Sequence, residues 1–240
     1  MPPVQEIPAA AINRIPSVVS ARPEGILRRL LRRGQTPGDC GLVPGIIVLV
    51  AAAAALIQIA GAFSPAWTAA LIYDRHALFA GQWWRLWTGH LVHYGWLHFA
   101  VDTGILLYLG RVITWPRPAV RAWALVLLPP VISGAVCLFD PHMIYYAGLS
   151  ALNLGLFVFH ALQSWRQDRT DWLWPAVLLV CLAEIAIETL RGGSGGGLIA
   201  FSDPTVRIAT TAHVAGGVGG VVLWALCRLH TLFPAKPPYR

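Results

Sequence analysis

Apolar and polar positions along this chain fall in long blocks rather than at short period. Six blocks are almost wholly apolar: residues 42–63, 90–113, 119–139, 148–165, 172–190 and 207–229. Each can cross a hydrocarbon layer about 30 Å thick as a helix, the second and sixth with tilt. The pattern predicts an all-α polytopic membrane protein with six transmembrane helices over residues 42–229. Residues 1–41 are polar and proline-rich and read as a basic, mostly flexible cytoplasmic tail. Residues 230–240 read as a second, short cytoplasmic tail. Within the first tail, residues 24–33 (EGILRRLLRR) form a short basic amphipathic stretch, a positive flank that could also rest on lipid. No signal peptide is expected, because the first apolar block starts too late and lacks a cleavage-like end. Pro129 and Pro130 predict a kink in the third block.

Composition agrees with the blocks. Hydrophobic residues make up 56% and charged residues 12%, against about 25% charged in soluble domains. A disordered chain, a collagen-like fibre and an ordinary soluble globule are excluded. The formal net charge of +7 raises the question of nucleic acid, and the placement of the basic residues answers it. With the amino terminus inside, fourteen of the eighteen Lys and Arg fall on the cytoplasmic side. Only Arg75, Arg85, Arg191 and Arg207 fall outside. The charge is therefore a topology signal that places both termini in the cytoplasm, with the lipid bilayer and no nucleic acid as partner. Trp67, Trp83, Trp84, Trp87, Trp165, Trp172 and Trp174 lie at block ends or in loops, as an aromatic belt does. The four cysteines are scattered and imply no disulfide framework.

Ionisable groups inside spans are costly and mark the functional search list. They are His98 and Asp102 in the second block, His160 in the fourth, Glu184 and Glu188 in the fifth, and His213 in the sixth. Ser150 opens the fourth. His98 and Asp102 stand four apart and share a helix face. Ser150 sits near a helix amino terminus, where free N–H groups favour an oxyanion. His213, Gly216, Gly217 and Gly220 make a glycine stripe, and Ala147, Ala151 and Gly155 a small-residue stripe. Two such faces approach closely, which would bring His213 toward Ser150. A serine needs a base to become a nucleophile, and donors must await the oxyanion. Ser150, His213 and a donor group from His98 and the amides of Leu149 and Ser150 supply these parts. Each signal alone is weak; the joint pattern of spans, depth and stripe is specific.

These residues resemble the rhomboid intramembrane serine proteases. Trp84-Arg85 matches the first outer loop of that family. His98-x-x-x-Asp102 matches its His-x-x-x-Asn in the second span, imperfectly. Gly148-Leu149-Ser150 matches its Gly-x-Ser, and Ala212-His213-Val214-Ala215-Gly216 its Ala-His-x-x-Gly. The segments GQWWRLWTGHLVHYGWLH and YAGLSALNLGLF look most like the bacterial rhombosortase branch. The resemblance implies a six-helix rhomboid-like bundle in a bacterial inner membrane and a Ser150–His213 dyad without an obligatory carboxylate. It implies an oxyanion site from His98, the position of Asp102, and the amides of Leu149 and Ser150. It further implies a cavity opening to the periplasmic side, with Gly148, Trp84 and Arg85 in substrate binding or gating; the sequence itself points to no cofactor or metal. Membrane-anchored proteins cleaved near the outer end of a transmembrane segment are the implied substrates. For the branch these carry a carboxy-terminal Gly-Gly sorting segment.

Two departures matter. Asp102 replaces Asn, so it must either be protonated and donate to the oxyanion or point away toward His98. Ala151 replaces a frequent Gly and adds a methyl near the oxyanion amides. Glu184 and Glu188 read first as bundle-facing acids with polar partners, and second as a gate face that reads substrate charge. Residues 191–197 (RGGSGGG) read as a linker or as a mobile cap over the site. His90 and His93 read as structural. Two other functions compete: a metal or haem carrier using His90, His93, His98 and His213, and a proteolytically inactive relative that binds membrane clients. The absence of HExxH argues against the first, and the presence of both Ser150 and His213 against the second.

Overall fold

The computed structural model describes residues 43–191 and 208–232. The chain divides into two units, 1–33 and 34–240. The first lies outside the described residues, and every described element belongs to the second. The expectations for the basic tail, for the glycine-rich run from residue 192 and for residues 233–240 fall outside the described residues.

Helix α1 spans Gly45–Phe63 and stops where Ser64 turns extended ahead of Pro65. Pro65 opens α2, Pro65–Leu71, where its missing N–H costs nothing. A two-residue strand β1, Tyr73–Asp74, leads into α3, Arg75–Phe79. Asp74 caps α3 by accepting from the amides of His76 at 2.9 Å and Ala77 at 3.1 Å. Helix α4, Arg85–Thr88, and a 3₁₀ turn, Gly89–Leu91, complete the loop before α5, Trp96–Val112. Then come α6, Pro118–Phe139; β2, Tyr145–Tyr146; α7, Ser150–Gln167; α8, Leu173–Leu190; and α9, Thr210–Leu232. β1 and β2 pair antiparallel, Tyr73 opposite Tyr146 and Asp74 opposite Tyr145.

One boundary departs from the hydropathy pattern. The second helix starts at Trp96, not at residue 90, so His90 and His93 belong to the loop before it. Gly95, with φ +120°, breaks the run there, a conformation open to glycine. Helix α6 covers the third block whole, with Pro129 and Pro130 inside it. Pro130 has no N–H for the carbonyl of Val126 four residues back. The indole Nε1–H of Trp87 takes that carbonyl instead, at 2.8 Å, so the loop repairs the helix it packs on.

Among the described residues, four helices are long and apolar enough to cross a membrane: α1, α6, α8 and residues 210–229 of α9. Helix α5, at 17 residues, and α7, with Ser150, Asn153, His160 and Gln163 along it, fall outside that set. Side-chain contacts fix how all six run. The start of α1 meets the end of α5, where Ile47 and Val43 leave room only for Gly110. Helices α5 and α7 run parallel: Asn153 Nδ2 donates to the carbonyl of Asp102 at 2.9 Å, and Gln163 Nε2 to that of Thr114 at 2.6 Å. Helices α7 and α9 also run parallel, Ala151 against Gly216 and Gly155 against Gly220. Helices α6 and α8 oppose them, since Thr211 at the start of α9 reaches Asp140 after α6, and His213 reaches Glu188 near the end of α8. α7 sits at the centre, with nine buried residues on an 18-residue helix. The main core joins α1, α5, α6 and α7 through Ile47, Leu106, Leu109, Ile132, Leu152 and Leu156.

Candidate active site

The site is built at the amino-terminal end of α7. Gly148 adopts φ +114°, which an L-side chain rarely tolerates. A Cβ there would also lie 2.8 Å from the ring of His98. The turn is held from three sides. The Gly148 amide donates to the carbonyl of Gly89 at 3.2 Å. The Tyr146 hydroxyl donates to the Gly148 carbonyl at 3.1 Å. The Leu149 amide donates to Asp102 Oδ2 at 2.8 Å. Ser150 then enters α7 as its first residue, among amides that have no partner within the helix.

His213 reaches Ser150 from the first turns of α9. Its Nε2 lies 2.9 Å from Ser150 Oγ, across 63 residues of sequence. The crossing of α7 and α9 makes this approach possible. A Cβ on Gly155 would meet the Gly216 carbonyl oxygen at 2.6 Å, and one on Gly216 or Gly220 would enter the backbone of α7. Gly217, also on the expected stripe, has nothing within 4 Å of its would-be Cβ, so the contact uses 216 and 220 alone.

The other ring nitrogen of His213, Nδ1, lies 2.8 Å from Glu188 Oε2. The two side chains are 16% and 9% exposed. The expected Ser–His pair needs no carboxylate, and here one stands behind the histidine. The sequence reading gives Glu188 a polar partner or a place on the gate. Its depth near the outer end of the fifth span, matching that of His213, is the available signal for this pairing. Glu184, one turn earlier on α8, is half-buried and is not part of this contact.

Asp102 lies between His98 and the turn before Ser150. Its carboxylate accepts from the Leu149 amide and lies 3.1 Å from His98 Nε2. His93 Nε2 lies 3.4 Å from the same oxygen. Two of the other expected donors, His98 and the Leu149 amide, face Asp102 as well. His98 Nδ1 accepts from the Tyr94 amide at 3.4 Å.

Trp84 and Arg85 serve the loop. Arg85 is 6% exposed. Its Nη1 donates to the carbonyls of Ala69 at 2.9 Å and Ile72 at 2.6 Å, and its Nε to Gln82 at 2.8 Å. A guanidinium thus closes the carboxyl end of α2, where carbonyls lack partners. Trp84 Nε1 donates to the Ala70 carbonyl at 3.3 Å. Arg85, expected in substrate binding or gating, is placed here as a fastener of the loop.

His90 joins loop and bundle. Its Nε2 lies 3.0 Å from both the Pro129 carbonyl and Ser133 Oγ. Burial pushes its pKa down to about 4, so it stays neutral and keeps donating to Pro129 at neutral pH. Its structural role matches the reading of the sequence. Among the described residues, no group of three or more His, Cys, Asp or Glu is placed to hold a metal ion.

The Rhomboid domain family model matches residues 80–229, more than half of the chain. The chain belongs to the rhomboid family. No curated protein matches it. Rhomboids are intramembrane serine proteases and their inactive relatives, which act on membrane proteins within the bilayer, and this rhomboid is an integral membrane protein. The matched span opens just before the Arg85 loop and closes within α9, so it takes in every side chain of the site.

Proposed function

We propose that this rhomboid is an active serine protease that hydrolyses a peptide bond in or near a transmembrane segment of a membrane-anchored substrate. The observation that carries the reading is the 2.9 Å approach of His213 Nε2 to Ser150 Oγ, within the reach a general base needs. Ser150 Oγ attacks the substrate carbonyl carbon while His213 Nε2 takes the hydroxyl proton. The tetrahedral oxyanion forms beside the amino terminus of α7, where the Ser150 amide and the helix dipole favour negative charge. The C–N bond then breaks, and His213 returns the proton to the leaving amine. Water, deprotonated by His213, cleaves the resulting Ser150 ester and releases the new carboxyl terminus.

We further propose six crossings in a bacterial inner membrane, both termini cytoplasmic and the Ser150 end facing the periplasm. The basic-residue bias and the alternating helix directions support this arrangement. The likeness of residues 81–98 and 146–157 to rhombosortases favours substrates with a carboxy-terminal Gly-Gly sorting segment.

A fluorophosphonate probe tests the reading. The purified wild-type protein is expected to label, and Ser150→Ala to lose the label. A wild type that does not label would make the chain a client-binding relative, a reading favoured by the Asp102 carboxylate that occupies the Leu149 amide.

A further inference from the structure

We infer that Glu188 is a positioning residue for His213, so that the reacting pair works as a three-residue relay of Ser150, His213 and Glu188. The inference rests on the protease reading and adds a function for an acid that reading does not use.

Chemistry dictates the direction of each hydrogen bond. A carboxylate has acceptors only. Glu188 Oε2, 2.8 Å from His213 Nδ1, therefore requires the proton on Nδ1. A neutral imidazole with its proton on Nδ1 has its lone pair on Nε2. That lone pair faces Ser150 Oγ at 2.9 Å and can only accept the hydroxyl proton. Glu188 thus selects the one neutral tautomer in which His213 is a base toward Ser150. When the serine attacks, the ring becomes a cation in a site where His213 is 16% exposed, and Glu188 supplies the opposing charge.

The placement of Glu188 fits this role. Apart from Trp174 near the other end, it is the only buried residue of α8. The helix otherwise turns apolar surface outward, Leu179, Val180, Leu182 and Ile187 among it. A buried carboxylate is costly unless paired. Its pairing joins two helices across 25 residues and ends at the atom opposite the one that faces the serine. Glu184, with the same chemistry one turn earlier, is not placed against the ring.

The test compares wild type with Glu188→Gln, Glu188→Ala and Glu188→Asp in detergent or liposomes. It measures kcat and KM on a transmembrane substrate, the fluorophosphonate labelling rate and the melting temperature. Gln keeps an acceptor for Nδ1–H but lacks the charge; Ala lacks both. The expected result is a fall in kcat on the order of 10²-fold for Ala, a smaller fall for Gln and partial recovery for Asp. KM should stay within about twofold, and labelling rates should follow kcat. In a Ser150→Ala background, Glu188→Ala should cause no further loss, because the relay acts as a unit. A wild-type kcat and labelling rate in Gln and Ala would overturn the inference and leave the protease reading standing. A raised KM at unchanged kcat would overturn it equally. Wild-type protein that neither labels nor cleaves would remove the protease reading, and the inference with it. Nitrogen-15 NMR of histidine-labelled wild type provides a readout without any variant. A His213 ring protonated on Nδ1 is expected at neutral pH, and one protonated on Nε2 would overturn the assignment.

Discussion

A carboxylate beside a developing oxyanion repels it, and Asp102 places one 2.8 Å from the amide of Leu149. Two effects of that charge compete. It aligns His98, whose Nε2 is 3.1 Å away, and it opposes negative charge at the carbonyl oxygen of a bound substrate. At an effective dielectric near 20, charge repulsion over about 4 Å is worth about 4 kcal/mol, while a hydrogen bond from His98 to the charged carboxylate is worth about 1.5–3. Repulsion wins by this comparison. Asp102→Asn keeps an oxygen for the Leu149 amide and removes the charge. Its kcat should equal that of wild type or exceed it by up to about tenfold, roughly 1.4 kcal/mol of barrier. Inactive but folded Asp102→Asn protein would mean that His98 needs the charge. The residues of the site differ in how legible they are in the sequence. Ser150 and His213 announce themselves through short motifs, because their glycines and small neighbours are local requirements of a tight turn and a close crossing. Glu188 does not. Its partner is set by the packing of α8 on α9, and an acid in a span has many ways to be satisfied. The contacts of Arg85 are hidden for the same reason, since nothing local says that its guanidinium caps α2.

The crossing of α7 and α9 determines whether those residues meet at all. The approach of the two backbones at Gly155, Gly216 and Gly220 is so close that any side chain there meets main-chain atoms. Main chain cannot rotate aside, so the helices must separate. Gly216→Val should therefore cost about 1–3 kcal/mol by overpacking. It should also lower kcat by on the order of 10²-fold, because Ser150 and His213 lie on opposite sides of the crossing and tolerate about 1 Å of displacement. Melting temperature and cleavage rate on the same preparation check both effects. Gly217→Val faces open space and should change neither by much; equal damage from the two would refute the assigned face. The glycine stripe predicts a close helix pair, and the structure contains one. The choice of 216 and 220 over 217 was beyond the sequence, because a spacing of three or four covers both sides of a helical stripe. The start of α5 was hidden for a related reason. Hydropathy carries on from residue 90 without a break, and only the φ of +120° at Gly95 marks where the helix begins.

At the scale of the molecule, the count of crossings decides which face of the membrane the Ser150 end meets. Length and apolarity alone select α1, α6, α8 and α9. Their directions support the proposed six crossings over that set of four. Helix α1 opposes α5 and α5 runs parallel to α7, which runs parallel to α9, while α6 and α8 oppose α9. Helices α1 and α6 therefore run the same way, and so do α6 and α8. Two successive crossings in one direction require a return between them. In the proposed arrangement α5 is the return for the first pair and α7 for the second. Helix α5 escapes the criterion at 17 residues, and α7 carries polar groups along it; the polar groups of the site are Asp102 on one and Ser150 and Asn153 on the other. Those groups face protein rather than lipid: Asp102 is 1% and Asn153 3% exposed, so their polarity costs the membrane little. Four and six crossings both leave the termini on one side, so a fusion at either end cannot separate them. Positions 117 and 142 can. With six crossings and the basic termini inside, Arg117 before α6 is cytoplasmic and His142 after α6 is periplasmic. With α5 and α7 left out of the membrane, the two exchange sides. Single Cys substitutions at these positions, in a protein whose four natural cysteines are replaced by serine or alanine, should give opposite results with an impermeant maleimide on intact cells. Labelling at 142 and protection at 117 is expected. The reverse would place the Ser150 end in the cytoplasm and reduce the crossings to four.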